Sequence, residues 1–147
     1  MSGPFTTLHH ICIVVHDVDK AISNYTKLGI GPWVDYGPLL DYTTLEVPDE
    51  AAFMQARIVV ANLDNVQLQL YQPSMLNSPQ RRFLDSKGEG VFHLGFEADV
   101  DAAEEVEETR GLDVLMRGRR DDGSGFTYFD TQGAAGVTMC IRKSPQK

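Results

Sequence analysis

The sequence predicts an α+β fold in which two tandem βαβββ modules form one curled, half-barrel sheet with a central cleft. Three observations lead there. Two stretches read as copies of one another: His10-Ile11-Cys12-Ile13-Val14-Val15 followed by Asp17-Val18-Asp19, and His93-Leu94-Gly95-Phe96-Glu97 followed by Asp99-Val100-Asp101. Each copy runs on into helical periodicity and closes in a similar strand, Val66-Gln67-Leu68-Gln69-Leu70 before Pro73 and Val137-Thr138-Met139-Cys140-Ile141 before Pro145. Internal repetition of this kind marks units that bury their apolar faces together. The full length of 147 residues suits one domain with its own core, so the repeat divides that domain into modules at about 7–73 and 90–143.

Leu8 to Val15 is apolar and β-branched, which predicts the first strand. Asp17 or Asp19 caps the helix that follows, and Ala21, Ile22, Tyr25 and Leu28 have the spacing of a buried stripe. Gly29 stops the helix and Gly31-Pro32 breaks the chain before Trp33. Tyr36 to Phe53 is the least regular stretch; its prolines, Pro38 and Pro48, allow at most a strand between long loops. Met54–Ala61 and Asn65–Tyr71 read as two strands joined by a turn at Asn62-Leu63-Asp64. A short helix around Arg81–Ser86 and the hinge Gly88-Glu89-Gly90 lead into the second module. There follow a strand (Val91–Glu97), an acidic helix (Asp101–Arg110), a strand (Val114–Arg119), a turn (Asp121–Gly125) and strands at Phe126–Asp130 and Val137–Arg142. The acidic run Glu104–Glu108 reads as a solvated helix face.

The formal net charge of −8 argues against general nucleic-acid binding, which needs a basic face. No apolar run approaches the roughly 20 residues of a membrane helix. No basic segment followed by an apolar stretch opens the chain, so no secretory signal is expected. Both cysteines, Cys12 and Cys140, fall inside apolar strands, which suits a reducing compartment better than a disulfide framework. Cytoplasm is the expected location.

Strand parity then sorts the polar residues. His93, Gly95 and Glu97 alternate with Phe92, Leu94 and Phe96; Gln67, Gln69 and Tyr71 alternate with Val66, Leu68 and Leu70; Cys140 alternates with Met139 and Ile141. His10 and His93, at matching places in the two copies, are candidate metal ligands, and the alternative for each is a packed or pocket-lining histidine. Gln69 is a ligand or an ordinary cup-lining amide, with Gln67 of the same chemistry two residues away. Cys140 is a ligand or a small buried hydrophobe. Trp33, Tyr36, Tyr42, Phe126 and Tyr128 supply an aromatic wall for a substrate or simply core. Arg117, with Arg119 and Arg120, is either an anchor for a substrate carboxylate or phosphate or an exposed strand end.

These stretches, from Leu8-His9-His10-Ile11-Cys12-Ile13-Val14-Val15 through Gly88-Glu89-Gly90-Val91-Phe92-His93-Leu94-Gly95-Phe96 to Gly136-Val137-Thr138-Met139-Cys140-Ile141, resemble the vicinal-oxygen-chelate superfamily. That superfamily includes glyoxalase I, bleomycin-resistance proteins, extradiol dioxygenases and methylmalonyl-CoA epimerase. The likeness is greatest to epimerase-like and glyoxalase-like members and spans roughly Thr7 to Lys143. The resemblance implies a divalent metal (zinc, cobalt, nickel or manganese) held at His10, Gln69, His93 and Cys140. At the fourth place the family carries a glutamate where this chain has Cys140. A thiolate with imidazoles suits zinc or another softer ion, but it cannot replace a carboxylate as a proton carrier.

Two functions follow from the resemblance. One is a metal-dependent isomerase or lyase that polarises a carbonyl substrate, such as an acyl-CoA thioester, for proton abstraction. Glu46 or Glu50 then serves as the catalytic base, and Trp33, Tyr36, Arg117, Phe126 and Tyr128 contact the substrate. The other is a metal-free small-molecule binding protein of the bleomycin-resistance type. A dioxygenase stands third, because the two histidines lack the carboxylate of its triad. A homodimer is implied by analogy with the family.

Overall fold

The computed structural model describes residues 3–37 and 39–145, so the expected loop former Pro38 lies outside the described residues. In chain order the elements are β1 (Leu8–Val14), α1 (Val18–Lys27), β2 (Val34–Asp35), a 3-10 turn (Leu39–Asp41), β3 (Thr44–Glu46), α2 (Glu50–Met54), β4 (Arg57–Asn62), β5 (Gln67–Gln72), α3 (Pro79–Lys87), β6 (Gly90–Glu97), α4 (Val100–Thr109), β7 (Val114–Arg119), β8 (Gly125–Phe129), α5 (Gln132–Ala135) and β9 (Thr138–Lys143). This is the expected mixture of helices and sheet, with nine strands and five α-helices among the described residues. No helix among them is long and apolar enough to cross a membrane.

The chain divides into two compact units. The first comprises His10–Pro38 and Asp49–Phe92; the second comprises Met1–His9, Leu39–Pro48 and His93–Lys147. In the first, the strands run β2-β4-β5-β1. β1 lies parallel to β5 with His10 opposite Gln67 and Cys12 opposite Gln69, and β4 is antiparallel to β5 with Val60 opposite Gln69. One face is covered by α1: Val15, Val18, Val59 and Leu70 form its core, with Ile13, Ala21, Ile22, Tyr25 and Trp33 packed against it. Asp17 caps α1 by accepting the Lys20 N–H at 3.1 Å, as a side-chain oxygen at this position should. Leu28, expected on the buried stripe, is 74% exposed because the helix ends at Lys27 and Leu28 is its C-cap.

The irregular stretch contains more structure than its prolines suggest. Asp49 accepts the Ala52 N–H at 3.1 Å and starts α2, burying Ala52 and Phe53, so the next strand begins at Arg57 instead of Met54. Upstream, β3 leaves the first module altogether and pairs antiparallel with β7, Thr44 opposite Arg119 and Glu46 opposite Arg117.

In the second unit the strands run β6-β9-β8-β7-β3. β6 and β9 are parallel, with His93 opposite Thr138 and Gly95 opposite Cys140. One face packs under α4 through Val100, Ala103, Phe129 and Ile141, with Phe5 set edge-on against Phe96 and Phe129 at 5.4 and 6.1 Å. The acidic helix is not a uniformly solvated face: Glu104 and Glu107 are buried, while Val106 is 45% exposed. Glu107 takes Arg110 at 2.8 Å. Glu104 accepts from Thr127 Oγ1 and Arg119 Nη2 at 2.6 Å each, and from Arg117. Burial alone would raise the Glu104 carboxyl, but hydrogen bonds from Thr127 and Arg117 outweigh it and hold the carboxyl below its ordinary value.

Because removing one member of a largely buried ion cluster strands its partners, Glu104→Ala is expected to cost about 3 kcal/mol of stability. Urea denaturation of the two proteins measures it. The cluster's contribution is present above the ordinary carboxylate range and is lost as pH falls through the depressed value, so the difference between the two proteins should shrink in acid.

Candidate functional site

In each unit the strands have one face under a helix and one face away from it, and parity assigns the candidate strand residues to one or the other. In the first unit, His10, Cys12 and Val14 share a face with Gln67, Gln69 and Tyr71, and it is the face opposite the α1 core. His10 and Gln69 are each 5% exposed. Gln69 Nε2 donates to Gln67 Oε1 at 2.9 Å, and Gln67 Nε2 donates in turn to Asn62 Oδ1 at 3.0 Å. This chain of amides fixes the Gln69 side chain, so Gln67 acts as its orienting partner. Cys12 and Tyr71 are deeply buried beside them, and burial pushes both their acidic groups up.

In the second unit, His93 and Gly95 of β6 share a face with Thr138 and Cys140 of β9, Phe126 and Tyr128 of β8, and Met116 and Gly118 of β7. Tyr128 stands directly opposite Cys140, and its ring packs on His93 with centroids 4.7 Å apart. Phe126 continues the row at 5.2 Å from Tyr128, and Tyr42 packs edge-on against Phe126 at 5.2 Å. Burial pushes His93 down to about 3, which keeps its imidazole neutral, the form that donates a lone pair to a metal.

Histidine and cysteine side chains with the chemistry of metal ligands are buried in both units: His10 in the first, His93 and Cys140 in the second. Two imidazoles and a thiol are donors of the kind that suits zinc or a similar borderline-soft ion, and Gln69, buried in the first unit, is a further oxygen donor.

Other candidates lie elsewhere. Arg117 and Glu46 occupy the α4 side of the second sheet, opposite His93, and pair with each other. Arg117 also engages Glu104 and Glu108, so its charge is used in the helix-to-sheet contact and is not turned toward a ligand on the His93 face. Glu46 is correspondingly a partner of Arg117, on the side of the strands away from His93. Trp33 also changes role: it packs with Tyr25 at 5.7 Å into the α1 core, its Nε1 donating to the Ile30 carbonyl, on the face away from Gln69. Tyr36 keeps the parity of Val34, which stands opposite Val60 on the Gln69 face, and its N–H donates to the Ile58 carbonyl. Glu50 is the exposed first residue of α2. The one carboxylate of β6 on the His93 face, Glu97, is bound to Arg142 at 3.0 Å, and the same arginine meets His9 Nε2 at 3.0 Å.

One glycine makes room for this aromatic row and a second lets the β7 and β8 backbones approach beside it. A Cβ on Gly118 would come within 2.6 Å of Phe126 and 3.0 Å of Tyr42. Gly125, at φ +146°, would drive one into the Gly118 carbonyl oxygen at 2.0 Å. The bare backbone of Gly118 was a signal in the sequence, as a glycine inside a strand marks close approach.

A family model for the glyoxalase/bleomycin resistance protein/dioxygenase superfamily matches residues 9–129, so Cys140 lies beyond the matched stretch. The structure is similar to methylmalonyl-CoA epimerase from Mycobacterium tuberculosis at a TM-score of 0.72 and 23% identity, covering 99% of this chain and 93% of that one. It is also similar to a methylmalonyl-CoA epimerase in complex with methylmalonyl-CoA and NH4+ (TM-score 0.71, 25% identity, 95% of each chain). A Streptomyces coelicolor methylmalonyl-CoA epimerase variant in complex with 2-nitronate-propionyl-CoA gives 0.70 and 26%, covering 97% of this chain and 99% of that one. No curated protein matches.

Gly118→Ala is expected to displace the Phe126 and Tyr42 rings and to cost about 1–3 kcal/mol as overpacking. Near-ultraviolet circular dichroism and a denaturation midpoint measured together check both effects.

Proposed function

The chain belongs to the glyoxalase/bleomycin resistance protein/dioxygenase superfamily, and from that premise we propose that it is a metal-dependent, methylmalonyl-CoA epimerase-like isomerase. The observation that carries the proposal is the burial of His93 and Cys140 on one face of neighbouring strands in the second unit, with His10 and Gln69 buried on the face of the first unit turned away from α1. These four residues would together hold the ion. A divalent ion bound there supplies a Lewis acid that polarises a carbonyl and favours loss of the neighbouring proton. The substrate class is a small carbonyl compound with two adjacent oxygens, an acyl-CoA thioester foremost, in keeping with the ligands of the similar epimerases.

The residues of the chain do the rest. Tyr128 and Phe126 form an apolar wall beside the donors and exclude water from the reacting carbon. Cys140 occupies the place of the family's glutamate, and Glu46 is held by Arg117, so proton transfer falls to another group. Tyr128 is the proton-carrying side chain best placed for it, opposite Cys140 and packed on His93. Glu50, exposed at the start of α2, is the remaining carboxylate candidate. A cytoplasmic homodimer completes the proposal.

A second reading, a small-molecule binding protein, draws on one observation: Glu97, the carboxylate of β6 on the His93 face, is already ion-paired. Two experiments separate the readings. Elemental analysis of the purified protein should find close to one zinc per chain, absent in the His10→Ala, His93→Ala double variant; no metal in either, even after incubation with zinc, cobalt, nickel or manganese, favours the binding protein. Proton NMR of methylmalonyl-CoA in deuterated buffer should then show loss of the C2 proton signal. Tyr128→Phe should slow that exchange by about 100-fold or more, the usual cost of losing a general acid or base. Tight binding of the thioester with no exchange would identify a binding protein.

A further inference from the structure

We propose that Arg120, braced against Tyr42, is a binding site for an anionic oxygen group, a carboxylate or a phosphate, on the molecule held at the His93 face. The identity of that molecule rests on the epimerase-like reading, but the anion site does not.

Arg117, Arg119 and Arg120 stand close together in sequence and have different fates. Arg117 is matched by Glu46, Glu104 and Glu108, and Arg119 by Asp101 and Glu104, all on the α4 side. Arg120 makes no ion pair among the described residues. Parity returns it to the side of Gly118 and Phe126. Its guanidinium carbon lies 4.4 Å over the Tyr42 ring, Nη2 donates to the Tyr42 hydroxyl at 3.1 Å, and Nη1 reaches Ser124 Oγ at 3.4 Å. Its Nε is buried with no hydrogen-bond partner. The result is a cation fixed in direction by stacking, with a shielded donor unused and no carboxylate in direct ion pairing among the described residues, Asp122 being engaged by the Ser124 hydroxyl at 2.5 Å, in a chain whose formal net charge is −8. A planar guanidinium held in this way suits a carboxylate or phosphate.

Its position links it to the chemistry. Arg120 stacks on Tyr42, Tyr42 packs on Phe126, Phe126 on Tyr128 and Tyr128 on His93, each ring pair 4.7 to 5.2 Å apart. A substrate lying along this row would place its reacting carbonyl at the histidine end and an anionic group at the arginine end.

The test is calorimetric titration of the zinc-loaded protein and its Arg120→Gln and Arg120→Lys variants with malonate and with pyrophosphate. The expected result is that the parent protein binds at least one of the anions, that Arg120→Gln weakens it by about tenfold or more, and that Arg120→Lys falls between. Equal affinity across the three proteins, or no binding of either anion to the parent, overturns the proposal. If Arg120→Gln does not fold, Arg120→Lys carries the same comparison. Three thioesters then identify the anion. Loss confined to methylmalonyl-CoA, with propionyl-CoA unaffected, assigns a substrate carboxylate; loss for both, with methylmalonyl-pantetheine unaffected, assigns a nucleotide phosphate. Retention of malonate or pyrophosphate through Arg120 by a protein that does not take methylmalonyl-CoA supports the anion site and overturns the epimerase-like reading alone.

Discussion

The parallel pairing of the opening strand with the closing strand, β1 with β5 and β6 with β9, is the constraint on which the rest of the structure depends. Side chains along a strand alternate with a period of two, so a slip of one residue would put Ile11 where His10 stands and Leu94 where His93 stands. What holds the register is the other face. Val15, Val59 and Leu70 must meet α1, and Phe129 and Ile141 must meet α4, for their apolar surface to leave water. The helices therefore position the histidines from the opposite face of the strands. Burial on one side of the sheet is what aims chemistry on the other.

The same division explains the distribution of charge. On the α4 side, arginines and carboxylates are brought together and neutralise one another around Glu104, a carboxylate with hydrogen bonds enough to remain ionised where it is buried. On the opposite side, burial keeps His93 neutral, Phe126 and Tyr128 are aromatic, and Cys140 is buried. Electrostatics fastens the helix to the sheet, and the other face is left apolar enough for a small number of donors to act strongly.

Much of this was legible in the residues. The two histidine strands, their helices and the closing strands stand where alternation and capping residues place them, and the parity of His93, Gln69 and Cys140 is that of the structure. What could not be read was non-local. Glu46 and Arg117 are 71 residues apart, and nothing in either neighbourhood announces the strand pairing that joins them. Trp33 sits in an irregular stretch where period gives no face. α2 is five residues long, with a capping aspartate directly behind a proline, too short for its apolar spacing to register as a helix. Glu104 and Glu107 are buried for a reason that composition hides: their partners come from β7 and from the end of α4 itself.

β3 gives the duplication an unexpected asymmetry. The strand is encoded within the first copy, yet it closes the open flank of β7 in the second unit. The two copies are thus repeats in sequence but not separable modules. A gene split at Gly88-Glu89-Gly90 would leave the downstream fragment with the backbone of β7 unpaired along one side, a template for pairing with other chains.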